Sequence, residues 1–525
     1  TELLAENFQK FKAKWGDAEA APYRTPTAPP DADFAAPILV EVPRVVLPGD
    51  KVRVSLTMIV RDEEHNLGAC LEGFMPLVDE VIVVDTGSKD RTRDIARHFG
   101  AKVFEFPWVD DFSAARNEAL RHATGDYAFW ADADDRIDGV SADKLKALFA
   151  SLSVQDPSAW VVKCRCPGGK PGVPSTVVDH VRVFPLRPDV RWKYRVHEQI
   201  LPGVRAVGIP VKWSDAAVEH VGYVDPAVRK RKLGRDTKLL EKELADHPAD
   251  PFALFNLGSV YHEVGDVKKA EPLLVDSLRR SHPSDSIVRK LYALIAQCRW
   301  RDQRHADALG AIAEGRVHYP DDAELLFLEG TFKEAGGDPA GAESALRRLV
   351  DGTEGAHFAS VDGTLRAVRG RARLGWLMHR RGDAAGAAAE WRAAVAADPH
   401  HVPAWEGLGE VALAASAWAD VERAAAACDP ADPAAAAVLR ARSLAAQGNV
   451  AAAKDLLELA VAADPEAVRP RVALSHLLLK TGAEPDVAEA ALRDVLRLDP
   501  ANAEAKHNLG VLLRTRAETG AGGGA

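Results

Sequence analysis

The pattern of apolar residues changes once along this chain of 525 residues, and the change separates two kinds of structure. From Val52 onward, short apolar runs alternate with helical segments, which predicts an α/β sheet built from βαβ units. Beyond about Leu239 the strand-like runs disappear, and alanine and leucine recur at helical spacing. We therefore expect an α/β domain at residues 51–238 and an all-α domain at residues 239–518.

The all-α part contains an internal repeat. A glycine precedes an alanine by five residues at several places, and such a glycine can turn the chain between two antiparallel helices. The glycines are Gly265, Gly337, Gly382 and Gly448. Asp-Pro pairs also recur, at intervals of 31, 35 and 35 residues (398 to 429, 429 to 464, 464 to 499). This part resembles the tetratricopeptide repeat family, whose period is about 34 residues. The resemblance implies a right-handed helical solenoid whose concave face binds a partner.

Some segments fit neither pattern. Residues 353–368 match the repeat poorly, and we expect an irregular connection there. Residues 5–15 could form a short helix, and the proline-rich stretch that follows predicts an extended arm, so residues 1–50 form a separate unit in our interpretation. The glycine-rich end, residues 519–525, is expected to be a disordered tail.

Composition excludes several classes of function. The net charge of -10 comes from ionisable groups of both signs and leaves no basic footprint, so nucleic acid is not an expected partner. Five scattered cysteines, with no Cys-x-x-Cys pair, indicate reduced thiols in a cytoplasmic protein. No apolar run approaches the length of about 18 residues that a membrane span requires.

The densest group of carboxylates follows an aromatic, apolar run at residues 127–131. A buried strand there would deliver Asp132, Asp134 and Asp135 together at its carboxyl end, where α/β sheets bind ligands. Neighbouring carboxylates repel one another unless a cation lies among them, and oxygen ligands suit hard ions such as Mg²⁺ or Mn²⁺. The first hypothesis is therefore a metal-dependent site.

Four motifs occur in order along the α/β domain: residues 58–64 and 83–92 close the first two strands, residues 115–117 lie on a helix, and residues 132–135 follow the fourth strand. Together they resemble the family-2 glycosyltransferases with the GT-A fold, over roughly residues 52–223. The fold class implied is α/β plus all-α, namely a GT-A Rossmann-like nucleotide-sugar domain followed by a tetratricopeptide solenoid. Two later segments are a V-H-E at residues 196–198 and an H-x-G-Y at residues 220–223. They resemble segments that members of a bacterial branch of this family carry before helical repeats. The S-glycosyltransferases that modify glycocin peptides are similar in general architecture.

The resemblance implies roles in binding a nucleotide-sugar donor. Asp85 corresponds to the carboxylate that bonds the nucleobase, which favours uridine diphosphate sugars, and Arg116 to a cation near the nucleotide. Asp132 and Asp134 resemble the D-x-D motif, in which the second acid binds metal. The remaining candidate donor-site residues are Val60, Arg61, Glu63, Asn117 and Asp135. Other interpretations stay open: a turn aspartate for Asp85, a solvated helix charge for Arg116, a local hydrogen bond for Asn117 and a first-turn acid for Glu63.

Catalysis by an inverting mechanism needs a base that faces the acceptor. We assign this role to Glu198, because the carboxylates beside the metal would be poor bases on the leaving-group side. His220 resembles the late histidine that completes metal binding, with Asp134 and Asp132, and His197 would orient the base or touch the acceptor. A structural role in a hydrogen-bonding pair is the alternative for His197, His220 and Glu198 alike.

The sequence thus predicts an inverting glycosyltransferase that uses Mn²⁺ or Mg²⁺, with a peptide or protein acceptor selected by the repeats. The alternative is a non-catalytic tetratricopeptide scaffold that carries an idle sugar-nucleotide domain. A nucleotidyltransferase is disfavoured, because no glycine-rich basic loop lies near the first strand. The oligomeric state stays open, a homo-oligomer included.

Overall fold

The computed structural model describes residues 51–167, 176–222, 226–353 and 361–521. The short helix and extended arm expected within residues 1–50 lie outside these ranges. The final helix ends at Ala521, inside the expected tail, and residues 522–525 also lie outside the described part of the chain.

Within the described ranges, one mixed sheet of nine strands forms the α/β domain. Its order is β3-β2-β1-β4-β7-β6-β8-β5, and β9 pairs with β7. The strands are β1 (Val54–Val60), β2 (Glu80–Asp85), β3 (Lys102–Glu105), β4 (Tyr127–Trp130), β5 (Asp135–Arg136), β6 (Ala159–Cys166), β7 (Thr176–Pro185), β8 (Val211–His220) and β9 (Val361–Asp362). The helices of this domain are α1 (Leu67–Phe74), α2 (Thr92–His98), α3 (Phe112–His122), α4 (Gly139–Ala150) and α5 (Leu201–Ala206).

Parallel pairing brings the strand ends with the sequence motifs to one edge of the sheet. Strand β1 pairs in parallel with β2, where Val60 lies opposite Asp85, and with β4, where Thr57 lies opposite Trp130. Strands β1, β2 and β4 are almost entirely buried, because helices cover the central parallel strands on both faces. Asp85 and the acidic cluster therefore lie at the same edge of the sheet, as expected for residues that follow parallel strands.

The apolar pattern of residues 207–213 predicts a strand there, and this prediction is wrong in its extent. The chain there leaves helix α5 through Gly208, which has a φ of 71°, and the strand runs instead from Val211 to His220. The polar residues Ser214 and Asp215 hide the strand pattern, and the pairing of β8 with β6 shifts register beside them. The strand's last residue, His220, pairs with Asp135 of β5, a short strand that the sequence did not indicate.

After the sheet the chain forms a solenoid of antiparallel helix pairs. Its helices are α6 (Pro226–Asp246), α7 (Pro251–Glu263), α8 (Val267–Arg280), α9 (Val288–Arg301), α10 (His305–His318), α11 (Ala323–Ala335), α12 (Pro339–Asp351), α13 (Gly370–Arg380), α14 (Ala384–Ala397), α15 (Val402–Ala414), α16 (Trp418–Cys428), α17 (Pro433–Ala446), α18 (Val450–Ala463), α19 (Val468–Lys480), α20 (Pro485–Leu498) and α21 (Ala503–Ala521). The expected boundary at residue 238 lies within α6. Among these described helices, none is both long and apolar enough to cross a membrane.

The glycines that mark the repeat adopt the conformation that their role requires. Gly265, Gly337, Gly382 and Gly448 have φ values of 83°, 82°, 92° and 84°, in the left-handed region that favours glycine. Gln303 and Ser416 occupy equivalent turns with φ values of 61° and 54°. These two repeats lack the glycine on which the sequence pattern depended, so the pattern missed them.

The irregular connection expected at residues 353–368 returns to the α/β domain. Residues 354–360 lie outside the described ranges. Val361 and Asp362 then form β9, which pairs with Val177 and Thr176 of β7, and a π-helical turn leads into α13. The repeat region therefore contributes a strand to the sheet.

The core of the middle repeats predicts how one glycine substitution affects stability. Trp391 of α14 is fully buried, and a Cβ added at Gly407 of α15 would overlap its indole ring. Gly407→Ala should lower the free energy of unfolding by about 1–3 kcal/mol, the usual cost of overpacking. Gly310→Ala is the matched control, because nothing lies within 4 Å of a Cβ there. That variant should gain about 0.5–1 kcal/mol from helix propensity. Equal denaturation midpoints for the two variants would contradict the packing argument.

Candidate active site

The acidic cluster at the end of β4 is completed by a histidine from β8. The β5–β8 pairing places His220 opposite Asp135. Each of these four residues offers one potential ligand atom, and the four atoms all lie within 4.8 Å of one another. The residues are Asp132, Asp134, Asp135 and His220. Four groups separated by up to 88 residues in the sequence are thus gathered into one site by strand pairing (220 − 132 = 88).

The innermost carboxylate of the cluster is already neutralised by the protein. Asp135 is fully buried, and it accepts a short hydrogen bond from Arg182 and another from the backbone NH of Asp132 at 2.9 Å. Burial alone would raise the pKa of Asp135, but the neighbouring Arg182 guanidinium holds that pKa well below its usual range. Asp135 is therefore an ionised, internally paired group that supports the cluster.

Asp134 and His220 are half-buried members of the cluster. His220 Nδ1 lies 3.2 Å from Asp135 Oδ1 and 3.3 Å from Asp134 Oδ1. The hydrogen bond to Asp135 raises the pKa of His220 to about 9, and the other carboxylates add to this effect. Burial raises the pKa of Asp134, and Asp132 and Asp135 raise it further.

A glycine leaves open space between two of these groups. A Cβ built on Gly222 would lie 3.1 Å from His220 Nε2 and 3.3 Å from Asp134 Oδ2, so both atoms border the volume that a larger residue would fill. One nitrogen and one carboxylate oxygen facing a common space form a donor set that suits a divalent cation. The sequence motif named this glycine without giving it a role.

Arg116 joins the acidic cluster to the residue predicted as catalytic base. Its Nη2 donates to Asp132 Oδ1 at 2.8 Å, and its Nε donates to Glu198 Oε1 at 2.6 Å. Only 6% of Arg116 is exposed, so the interpretation as a solvated helix charge is wrong. Burial alone would lower the pKa of Arg116, but Asp132 and Glu198 raise it, and the guanidinium stays charged.

Two tryptophans enclose this guanidinium. The Arg116 Cζ lies 4.5 Å from the ring centroid of Trp130 and 4.8 Å from that of Trp192. Arg182 lies 4.2 Å from the centroid of Trp130, so this indole contacts both of the buried arginines. Contact with the aromatic rings helps to offset the lost hydration of the cations. The position of Trp130 in the aromatic, apolar run at residues 127–131 did not indicate these contacts.

Glu198 lies on a tight loop, which we call the Glu198 loop (residues 192–199). The backbones of Lys193 and Gln199 exchange two hydrogen bonds of 3.0 Å and close this loop. Tyr194 and His197 adopt φ values of 74° and 56°, which are costly for residues other than glycine. Surrounding contacts must therefore hold the loop in this conformation.

Those contacts come largely from the first repeat helices. Val196 packs in a cluster with apolar residues of α6 and α7, and the Tyr194 ring lies 4.6 Å from that of Phe252. The backbone NH of Arg195 donates to Glu243 Oε2 of α6 at 3.0 Å. The solenoid thus supports the conformation of the loop that bears Glu198.

Asn117 supports the same loop from the α/β domain. Its Nδ2 donates to the Trp192 carbonyl at 3.0 Å, and its Oδ1 accepts from the Trp192 NH at 2.9 Å. The structure therefore places Asn117 in the local hydrogen bonds that were the alternative to nucleotide contact. His197 is exposed next to Glu198 and lines a cavity that faces the repeat helices.

The remaining predicted donor-site residues lie at the ends of β1 and β2. Asp85 is buried and accepts from the backbone NH groups of Gly87 at 3.2 Å and Ser88 at 3.1 Å. The Val60 carbonyl accepts from the Thr86 NH, also at this edge. Arg61 is exposed, whereas the pKa of Glu63 is raised by burial and by Asp134 and Asp132, which places Glu63 beside the acidic cluster.

Comparison with known proteins agrees with this geometry. Residues 55–191 match the model of the family described as Glycosyl transferase family 2. This region is therefore similar to family-2 glycosyltransferase domains.

Relatives extend the similarity beyond this domain. A TPR repeat-containing protein of Synechococcus elongatus is 34% identical over 50% of this chain and 64% of its own length. The SPbeta prophage-derived glycosyltransferase SunS of Bacillus subtilis is 26% identical over 44% of this chain and 54% of its own length. The chain thus spans between about half and two thirds of these relatives. Among solved structures, a tetratricopeptide repeat protein from Parabacteroides merdae is similar at 14% identity, covering 50% of this chain and 98% of that chain with a TM-score of 0.42.

The contact between α6 and the Glu198 loop can be tested without any substrate. Glu243→Ala removes the charged acceptor of the Arg195 NH, so this amide should exchange its hydrogen about tenfold faster or more. Hydrogen exchange followed by NMR or by mass spectrometry of short peptides measures the effect. Glu241→Ala, at an exposed position of the same helix, should leave exchange at Arg195 unchanged. Unchanged protection in Glu243→Ala would show that the solenoid does not hold the loop.

Proposed function

We propose that this protein is an inverting, metal-dependent glycosyltransferase that moves a sugar from a nucleotide diphosphate sugar to an acceptor. The observation that carries the proposal is the buried bridge from Asp132 through Arg116 to Glu198. This bridge holds a carboxylate of the D-x-D motif and a second carboxylate against the same cation. The family-2 match over residues 55–191 supports the reaction class.

The donor would lie along the edge formed by the ends of β1, β2 and β4. Asp85, near the Arg61 and Glu63 segment, would accept the imide hydrogen of uracil, which favours a uridine diphosphate sugar. The diphosphate would then extend toward Asp132 and Asp134. Arg116 lies beside this path and adds a positive charge next to the nucleotide.

Asp134, Asp132 and His220 would hold a divalent cation, Mn²⁺ or Mg²⁺. The open space at Gly222 fits this function, because Asp134 Oδ2 and His220 Nε2 border it while His220 Nδ1 faces carboxylates that fix the ring. His220 would lose its proton when the cation binds, since only the neutral imidazole is a ligand. When bound, the cation neutralises charge that develops on the departing diphosphate.

Glu198 would act as general base for the acceptor. Its carboxylate contacts Arg116 and is not among the groups that would hold the cation, so it would receive the acceptor proton as the acceptor attacks the anomeric carbon. His197, adjacent on the same strained loop, would position the acceptor or the base. The Glu198 loop is held by the first repeat helices, so the repeats that would select a peptide or protein acceptor also support the base.

The roles of Asp134 and Glu198 can be tested separately, because one variant should lose donor binding and the other should lose only sugar transfer. With Mn²⁺ present, UDP-sugars should raise the melting temperature of the wild-type protein and of Glu198→Gln alike, and Asp134→Ala should lose this response. Transfer, followed by mass spectrometry of candidate acceptors and of the protein itself, should fall by about 10²-fold or more in Glu198→Gln. Wild-type protein that responds to no UDP-sugar would favour the alternative of a repeat scaffold with an idle nucleotide-sugar domain. Near-normal transfer by Glu198→Gln would show that another residue is the general base.

The space at Gly222 makes a further prediction about metal binding. Gly222→Ala places a methyl group between His220 Nε2 and Asp134 Oδ2, so Mn²⁺ affinity measured by calorimetry should fall about tenfold or more. Gly139→Ala is the matched control, since nothing lies within 4 Å of a Cβ at that position. Equal Mn²⁺ affinity in the two variants would show that the metal does not bind next to Gly222.

A further inference from the structure

A groove of about 1110 Å³ lies among helices α11, α12 and α13 of the solenoid, and arginine side chains line much of it. Its described acidic lining residues are Glu334 of α11 and Glu343 of α12, and apolar side chains such as Ala340 and Leu377 complete the wall. The arginines of the lining are Arg347, Arg373, Arg380 and Arg381. We call this feature the arginine groove.

Among the described lining residues, each glutamate is shared by two arginines. Arg347 Nε donates to Glu343 Oε1 at 2.9 Å, and Arg381 Nη1 donates to Oε2 of the same carboxylate at 2.5 Å. Glu334 pairs with Arg373, whose Nε lies 2.7 Å from its Oε2, and with Arg380 through a short hydrogen bond. Four positive charges thus meet two negative ones, so this lining has a net charge of +2 (four minus two).

The glutamates lie beneath the arginines. The side chains of Glu334 and Glu343 are only 18% and 15% exposed, whereas those of Arg347, Arg380 and Arg381 are 46%, 55% and 55% exposed. The carboxylates therefore hold the guanidinium groups in place from the buried side. A guanidinium has five N–H donors, and sharing one carboxylate between two guanidinium groups uses only part of them. Donors remain at the open side of the groove for an anionic ligand.

The sequence around the groove is basic, although the whole chain has a net charge of -10. Residues 339–381 contain eight arginines, no lysine and four acidic residues. Asp383 follows them and lies 3.9 Å from Arg381, so it reduces the positive charge without forming a hydrogen bond. The exclusive use of arginine is informative, because its planar fork of donors matches a carboxylate or phosphate through two parallel hydrogen bonds.

The size and lining of the groove favour a polypeptide over other anions. Its volume is at the upper end of the roughly 300–1,000 Å³ that is usual for ligand pockets, and one small anion would occupy little of it. Ala335, Pro339 and Leu377 offer apolar contacts that a small anion does not use. A nucleic acid would bring many phosphates close to a chain of negative net charge, whereas a short acidic segment needs only the local positive charge.

We propose that the arginine groove binds an acidic segment of a partner polypeptide. Neighbouring Asp or Glu carboxylates of that segment would bind Arg347, Arg380 and Arg381, and an apolar side chain would contact Leu377. Arginines that are already held by glutamates lose little freedom on binding, which favours affinity. The chain between α12 and α13 contains β9, which pairs with β7 of the sheet, so the partner would contact the two helices that flank this link. The inference goes beyond the proposed function and does not depend on it.

Removal of the two excess charges tests the groove without leaving a glutamate unpaired. In the double variant Arg347→Gln with Arg380→Gln, Glu343 keeps Arg381 and Glu334 keeps Arg373, so the melting temperature should stay close to that of wild type. Fluorescence anisotropy with the full-length protein measures binding of a labelled peptide of three Glu-Glu-Leu-Gly repeats. Wild type should bind it at least tenfold more tightly than the Gln-Gln-Leu-Gly counterpart, with affinity that falls as salt is added, and the double variant should lose at least tenfold.

The matched control is the double variant Arg423→Gln with Arg493→Gln. These arginines lie on α16 and α20, outside the groove, and their side chains are 70% and 63% exposed. The control has the same net charge as the groove variant and should bind the glutamate peptide like wild type. Arg347→Lys with Arg380→Lys keeps the charge but loses the fork of donors, so it should recover only part of the affinity.

Several outcomes would overturn the proposal. Equal binding of the glutamate and glutamine peptides by wild type, or binding of neither, would exclude an acidic polypeptide as the ligand. Equal losses in the groove variant and the control would show a general effect of net charge. Tighter binding of a single-stranded oligonucleotide, lost in the groove variant, would assign the groove to nucleic acid. Displacement of the peptide by inorganic phosphate at constant ionic strength would show a site for small anions. Because no donor or metal is used, a failure here is distinct from a failure of the proposed function.

Discussion

The site depends on the balance of charge around the buried Arg116 guanidinium. This cation holds Asp132 at the end of β4 and Glu198 on a loop from a distant part of the chain, and two indole rings enclose it. Removing the arginine would leave the largely buried Glu198 carboxylate without its partner, at a typical cost of about 3–5 kcal/mol. The separation between the two carboxylates is therefore set by a rigid internal contact, with no flexible surface residue involved.

This balance extends to the rest of the cluster and to the solenoid. Arg182 compensates Asp135, which leaves Asp134 and His220 as the groups that border free space. The Glu198 loop has two residues with positive φ, and contacts with α6 and α7 compensate for this strain. The repeat region thus supports the loop that bears Glu198, in addition to any partner that it recruits.

Much of the site could be predicted because its signals are local in sequence. A buried aromatic strand followed by Asp132, Asp134 and Asp135 has a recognisable pattern, and parallel pairing brings such strand ends to one edge. The contribution of Arg182 could not be predicted in this way. Its sequence neighbours indicate only an apolar strand, and its partner Asp135 is reached through pairing of β4 with β7. Gly222 belongs to the H-x-G-Y segment, but its importance depends on the space between two side chains from different elements.

The sequence by itself determined the two kinds of domain, the repeat turns with left-handed glycines, and the grouping of acidic residues after β4. These features follow from apolar periodicity and from the conformational freedom of glycine, which act over a few residues. Only the tertiary structure decided that Arg182 pairs with Asp135, that Arg116 bridges the acidic cluster to Glu198, and that β9 returns from the repeats to the sheet. Such contacts join residues far apart in the chain, so they depend on strand pairing and burial that no local pattern encodes.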